Sequence, residues 1–241
     1  MSATSVEQVT KKTEDLSIDG NKKTVLNAAS TADKEFELKH PLNTQWTLWY
    51  TKPKVDNTED WSSLLRPVTK LSTVEEFWGV YQSIPKASEL PLKSDYHLFR
   101  NDIRPEWEDD KNAKGGKWTF QINDSDRALL DELWLKVVLS AIGETLDEND
   151  VAINGVVFNM RKKVVKLAIW TNTCDKEVLT KIGLKFRAII GAILNNKKSI
   201  ESQTEEEKQG EKPEHQPIEF KLEFIKHADS ENRKIPPFMI L

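Results

Sequence analysis

The pattern of hydrophobic and polar positions marks eight short stretches of the chain as strands. Thr44 to Tyr50 puts Trp46, Leu48 and Tyr50 on one side of a strand. Further short strands are predicted at 68–72, 96–100, 117–122, 151–159, 164–171, 218–227 and 238–241. Three segments follow helical spacing instead. The first starts at Thr73, with Glu76 three residues on as in a capping box, and carries Val74, Phe77, Trp78 and Tyr81. The second runs from about 127 to 142, with Gly143 as its expected stop. The third begins near Asp175 and carries Val178, Leu179, Ile182, Phe186, Ile189, Ile190 and Ile193 in one stripe. Single helices between groups of strands predict an α+β fold. It is a single domain of about eight mainly antiparallel strands, with all three helices on one face and the other face open to a ligand.

The second helix carries apolar residues on two sides. Leu129, Leu130, Leu133, Trp134, Val137, Val138, Ala141 and Ile142 form its core face. Leu135 and Leu139, four residues apart, lie well over 100° from the centre of that face. Val74 and Trp78 form a second such pair on the first helix. Either a terminal segment covers these residues, or they form a groove for a partner helix.

Outside these elements the composition changes. Residues 1 to about 35 are polar and charge-mixed and are expected to be a disordered tail before a domain at 36–241. A second such stretch, about 199–216, contains Glu205-Glu206-Glu207 and is expected to be a mobile acidic insertion. A net charge of −4 argues against a general nucleic-acid binder, so any RNA contact must be local. One cysteine, Cys174, excludes an internal disulfide and a cysteine metal site. No apolar run is long enough to span a bilayer and no signal pattern opens the chain, which leads to the expectation of a soluble, monomeric, intracellular protein without membrane contact.

Tryptophan is the outlier, with eight residues. Two lie in polar stretches without periodicity: Trp61 in Asp60-Trp61-Ser62, and Trp107 in Pro105-Glu106-Trp107-Glu108. Loops run over the surface, so both indoles are expected to be at least partly exposed. Exposed indole faces attract a positively charged ring such as a purine methylated at N7. Glu108 could accept hydrogen bonds from the N1–H and exocyclic amine of guanine. Adenine lacks that pair of adjacent donors. Arg161 and Lys163, two apart, could present cations from one strand face, or belong to an ordinary solvated hairpin end.

At these residues the chain resembles the eukaryotic translation initiation factor 4E family, its budding-yeast members in particular. The resemblance covers about 36–198 and resumes from about 218. It rests on His40-Pro41-Leu42-Asn43 with Trp46-Thr47-Leu48-Trp49-Tyr50, Val74-Glu75-Glu76-Phe77-Trp78, Arg104-Pro105-Glu106-Trp107-Glu108, Gly115-Gly116-Lys117-Trp118, Leu133-Trp134-Leu135 and Ala168-Ile169-Trp170. It implies a cupped domain with its helices on the convex face. It also implies that Trp61 and Trp107 stack on the 7-methylguanosine cap of mRNA while Glu108 reads the base. Trp170 would pack near the N7-methyl group, and Arg161 and Lys166, helped by Lys163, would hold the phosphate chain. His40, Pro41, Leu42, Val74, Trp78, Leu135 and Leu139 match the family's site for a helical Tyr-x-x-x-x-Leu-apolar motif, carried by scaffold initiation factor 4G and by competing 4E-binding proteins.

The resemblance therefore implies a cytoplasmic adaptor that could also enter the nucleus, binding the capped mRNA 5′ end or the analogues 7-methyl-GTP and 7-methyl-GDP. It has no cofactor or metal and starts translation through its scaffold. The alternative within the family is a cap-binding repressor without productive scaffold contact. An enzyme is disfavoured because His40, His97, His215 and His227 show neither metal nor triad spacing, and no glycine-rich phosphate loop occurs. Two departures stand out. Lys117 sits where some members carry Arg, and the 163–166 stretch lacks a glycine common in that hairpin.

Overall fold

All eight predicted strands form one sheet, and the pleat decides what each of its faces carries. In a computed structural model the chain is described from residue 39 to 241, apart from 57, 124–126, 128, 148–150, 210–217, 231 and 233, and apart from the side chains of Trp61 and residues 200–209. The fold is the unit Pro41–Leu241, while His40 belongs to the N-terminal unit Met1–His40. The tail expected at 1–35 lies outside the described residues.

The strands are β1 (Pro41–Thr51), β2 (Leu65–Thr73), β3 (Asp95–Arg100), β4 (Gly116–Asn123), β5 (Ile153–Asn159), β6 (Val164–Thr171), β7 (Glu223–Lys226) and β8 (Met239–Ile240). Their order is β2-β1-β3-β5-β6-β4-β7-β8, and every neighbouring pair is antiparallel. The helices are α1 (Trp61–Leu64), α2 (Val74–Ser83), α3 (Leu130–Ile142) and α4 (Lys176–Gln209). This is the expected cupped α+β architecture.

Alternation sends Trp46 and Leu48 of β1, Tyr96 and Leu98 of β3, Trp118, Phe120 and Ile122 of β4, and Val165, Leu167 and Ile169 of β6 to one face. There they meet Phe77 of α2, the buried stripe of α3 and Leu179, Ile182, Phe186, Ile190 and Ile193 of α4. Trp118 also donates its indole N–H to the Leu179 carbonyl at 3.0 Å, which satisfies a fully buried polar atom. The opposite residues of the same strands, Trp49, Phe99, Val157, Ala168 and Trp170, make a second, smaller cluster with Leu65 and Ile103. No helix residue belongs to it among the described residues, so this face is the open one.

Local chemistry sets the helix ends. Thr73 caps α2 by accepting from the Glu76 N–H at 3.2 Å, but the Glu76 carboxylate reaches back one residue further than in a standard capping box, to the Ser72 N–H at 2.9 Å. Asp175 caps α4 by accepting from the N–H groups of Glu177 and Val178. Gly143 does follow α3, at φ −85°, but the left-handed residue is Glu144 at φ 57°. The carboxylate of Glu144 accepts from Asn43 Nδ2 at 3.0 and 2.8 Å, a tertiary tie that helps to offset the strain of a non-glycine there. The α4 helix continues to Gln209, through the first part of the segment expected to be a mobile insertion. The remainder, 210–217, lies outside the described residues.

Candidate functional site

The open face is approached by two loops that leave opposite ends of the sheet. Thr51 of β1 pairs with Asp95 of β3, and Trp46 pairs with Arg100. The 52–64 loop therefore leaves at the Asp95 end, while the 101–115 loop leaves at the Arg100 end. The second loop doubles back over the sheet: Ile103 packs on the open-face cluster, and the Arg104 guanidinium lies 5.6 Å from the Trp49 ring centroid.

Asn112 fastens this loop. Its side chain is fully buried, and its amide donates to the carbonyls of Arg104 at 2.8 Å and Glu106 at 2.7 Å. Asn154, at the start of β5, donates to Asn112 Oδ1 at 2.9 Å and to the Lys111 carbonyl at 2.8 Å. Asp109 accepts from the N–H groups of Arg104 and Lys111, and Arg104 grips Glu106 through Nε at 2.9 Å and Nη2 at 2.7 Å. The clamped backbone presents Trp107, which is 39% exposed, and Glu108, which is also exposed and makes no hydrogen bond or ion pair among the described residues. Asn112 looks like an ordinary solvated loop residue in the sequence, because its partners are backbone atoms brought near only by folding.

Trp61 opens α1 immediately after the 52–60 loop and is not within a loop as expected; nothing is described of its side chain. Trp170 of β6 stands in the cross-strand row of Gly155 and Phe99, on the floor of the open face. It is 8% exposed, edge-on to Phe99 at 5.4 Å, and against the His227 ring at 4.1 Å. Gly155 makes room for this floor, since a Cβ there would sit 2.4 Å from the Phe99 ring. Lys117 pairs across the strands with Trp170, and its ammonium lies 5.8 Å from that ring centroid. Burial, then Lys166, pushes the Lys117 pKa down. His227 is buried, with neither ring nitrogen hydrogen-bonded among the described residues, and burial followed by Lys117 pushes its pKa down to about 3, so it is neutral at pH 7. Nothing in the sequence singles out His227, since its neighbours Trp170 and Lys117 come from other strands.

The cations expected to hold phosphates stand at the other end of this face. Asn159 pairs with both Asp95 and Lys166, which puts the start of β6 beside the start of β3. Lys166 and Lys163 are exposed. Arg161 and Lys163 lie in the bend between β5 and β6, so they do not share a strand face. Arg161 is held by the buried Asp95 carboxylate, Nη1 to Oδ1 at 2.6 Å and Nη2 to Oδ2 at 3.1 Å, and Nη1 also donates to the Met160 carbonyl at 2.9 Å.

On the helical face, Val74 and Trp78 are each 37% exposed. Leu135 and Leu139 are half-buried against the core, more covered than their angular position suggested, because they sit on the flank of the α3 stripe. Leu42 is half-buried, and Pro41 and His40 are exposed. No cluster of His, Cys, Asp and Glu suited to a metal ion occurs among the described residues, and no described helix is long and apolar enough to cross a membrane.

A single sheet with helices on one face, and on the other an aromatic floor edged by cations and a clamped indole, has the geometry of a ligand-binding domain. Comparison with known proteins makes this specific. The profile for eukaryotic initiation factor 4E matches residues 41–220. Eukaryotic translation initiation factor 4E of Candida glabrata is 60% identical over 187 residues, covering 77% of this chain and 87% of the relative. The Saccharomyces cerevisiae protein of the same name is 57% identical over 190 residues, with the same coverage. Among solved structures, Ascaris suum eIF4E-3 with m7G cap superposes with a TM-score of 0.68 at 32% identity, covering 85% of this chain and 98% of that one. A complex of C. elegans eIF4E-3 with the 4E-binding protein Mextli and cap analog gives the same score and identity, covering 85% of this chain and 100% of that one. The chain belongs to the eukaryotic initiation factor 4E family. Its relatives are named as translation initiation factors, not as enzymes.

Proposed function

We propose that this protein binds the 7-methylguanosine cap of mRNA on its open face and a helical segment of a scaffold initiation factor on its helical face, joining message to translation machinery. The observation that carries the cap reading is the clamped 104–115 loop. It spends several buried hydrogen bonds on holding one indole outward, with the exposed Glu108 carboxylate, unengaged among the described residues, beside it. The similar eIF4E-3 proteins were solved with an m7G cap or cap analog and, in one case, with a 4E-binding protein, which supports both halves of the reading.

In this reading Trp107 and Trp61 sandwich the methylated purine, whose positive charge suits two electron-rich faces; each stack contributes roughly 1–3 kcal/mol. Glu108 accepts from guanine N1–H and the exocyclic amine, at about 1.5–3 kcal/mol for bonds to a charged acceptor. Trp170 meets the methyl group from the floor. Lys166, Lys163 and Lys117 neutralise phosphates. Arg161 joins them with the donors it does not give to Asp95, since a guanidinium carries five N–H groups. Val74, Trp78, Leu135, Leu139, Leu42 and Pro41 receive the apolar side of the scaffold helix.

Retention on 7-methyl-GTP resin tests the cap half. Glu108→Gln keeps the shape but places an amide N–H where an acceptor is needed, so elution should require at least about tenfold less free 7-methyl-GTP than for wild type. Equal elution of the two proteins would remove Glu108 from base recognition.

A further inference from the structure

The 52–60 loop contains a fastening that the base-binding residues do not account for. The Glu59 carboxylate accepts from Lys52 Nζ at 2.7 Å, from the Val55 N–H at 2.9 Å and from the Asp56 N–H at 3.3 Å. One side chain thus ties the root of the loop, at the end of β1, to its turn. Two residues later the chain enters α1 at Trp61. Around it, the Lys52 N–H donates to the Leu64 carbonyl at 3.2 Å, closing the loop at its base, and the Ser63 N–H donates to the Asp60 carbonyl at 3.1 Å. The other charged groups of the segment, Lys54, Asp56 and Asp60, are not ion-paired to Glu59; Lys52 is its cation.

We propose that Glu59 is a positioning residue of the cap site: by gathering Lys52 and two backbone N–H groups it fixes the backbone that delivers Trp61, so that cap affinity draws on a carboxylate that does not touch the cap. This inference rests on the reading of Trp61 as a stacking residue. The physical basis is pre-organisation. A stacking pair binds only while both indoles are in register, and apparent affinity falls by the fraction of time the loop is competent. The 104–115 loop is held by buried amides, whereas in the 52–60 loop Asp56 closes the turn on the Thr58 N–H at 3.1 Å and Glu59 ties that turn to the root. The hydrogen bond from Lys52, then those from Val55 and Asp56, hold the carboxylate well below its ordinary 4.5, at about 2. The unfolded or loosened loop would protonate first, so the fastening is complete above pH 4.5 and is lost as pH falls toward 2.

Calorimetric titration of 7-methyl-GTP into four proteins tests this: wild type, Glu59→Ala, Trp61→Ala, and the double variant, with thermal unfolding of each as a control. Glu59→Ala should weaken binding about tenfold while leaving the unfolding midpoint within a few degrees of wild type. Glu59→Gln should lose less, because its amide oxygen still accepts from the Val55 and Asp56 N–H groups. In the Trp61→Ala background the Glu59 substitution should add nothing, since there is no indole left to position. Undiminished binding by Glu59→Ala, or an equal loss with and without Trp61, would overturn the proposal alone. Failure of the wild-type protein to bind would instead sink the stacking reading, and this inference with it.

Discussion

Replacing Asn112 by leucine should lower the stability of the fold by about 2–4 kcal/mol and weaken cap binding by a larger factor than any single rim cation does. The side chain is fully buried and joins two backbone carbonyls of the loop, those of Arg104 and Glu106, to the Asn154 side chain on β5. Leucine matches its volume but orphans one Asn154 N–H and removes one hydrogen bond from each of the Arg104 and Glu106 carbonyls, which keep only the backbone N–H groups of Glu106 and Asp109. An orphaned buried donor costs roughly 1–3 kcal/mol, and each further hydrogen bond lost about 0.5–1.5 kcal/mol. The released loop would then take Trp107 and Glu108 out of register together. Denaturant unfolding and a 7-methyl-GTP titration of the same sample check both effects. A stable variant with intact cap affinity would show that the clamp is not what positions Trp107.

Trp78→Ala should separate the two faces in the other direction. Trp78 is 37% exposed, beside an equally exposed Val74, and packs edge-on against Phe77 at 5.1 Å and Tyr81 at 5.9 Å. A half-exposed tryptophan on a rigid helix is the type of residue that dominates an interface, where truncation costs at least about 2 kcal/mol. Binding of a Tyr-x-x-x-x-Leu-apolar peptide should fall by thirtyfold or more. Affinity for 7-methyl-GTP should stay within a factor of about two, because the sheet and its core separate the two sites. Fluorescence anisotropy with a labelled peptide reads the first quantity. Unchanged peptide binding would move the scaffold surface elsewhere.

The element pattern was legible in the sequence because the sheet has one apolar-rich, helix-covered face, and period two survives where polar residues take the other face, as in β4 with Trp118, Phe120 and Ile122. Trp46 and Leu48 against Trp49 show where that signal reaches its limit. Both faces of β1 bury tryptophan, and only pairing reveals that Trp49 belongs to the open side with Phe99 and Trp170. The end of α3 was readable to within one residue. Glu144, not Gly143, takes the left-handed position because Asn43, about a hundred residues away in sequence, rewards its carboxylate. The face shared by Arg161 and Lys163 failed because the strand ends at Asn159, where Asp95 captures the arginine. Trp61, Trp107, Glu108 and Trp78 could be selected from sequence because indoles in polar or outward positions conflict with a core role. Asn112, Asn154, Lys117 and His227 could not, since each matters through a neighbour that only the three-dimensional fold supplies.

The central claim is that a positively charged purine is recognised by paired indoles. The most direct measurement is a tryptophan-fluorescence titration of the wild-type protein with 7-methyl-GTP and, in parallel, with unmethylated GTP. The account predicts strong quenching by the methylated nucleotide and at least about tenfold weaker binding of GTP, from the lost cation–π attraction on two faces. Equal affinity for both nucleotides would contradict it.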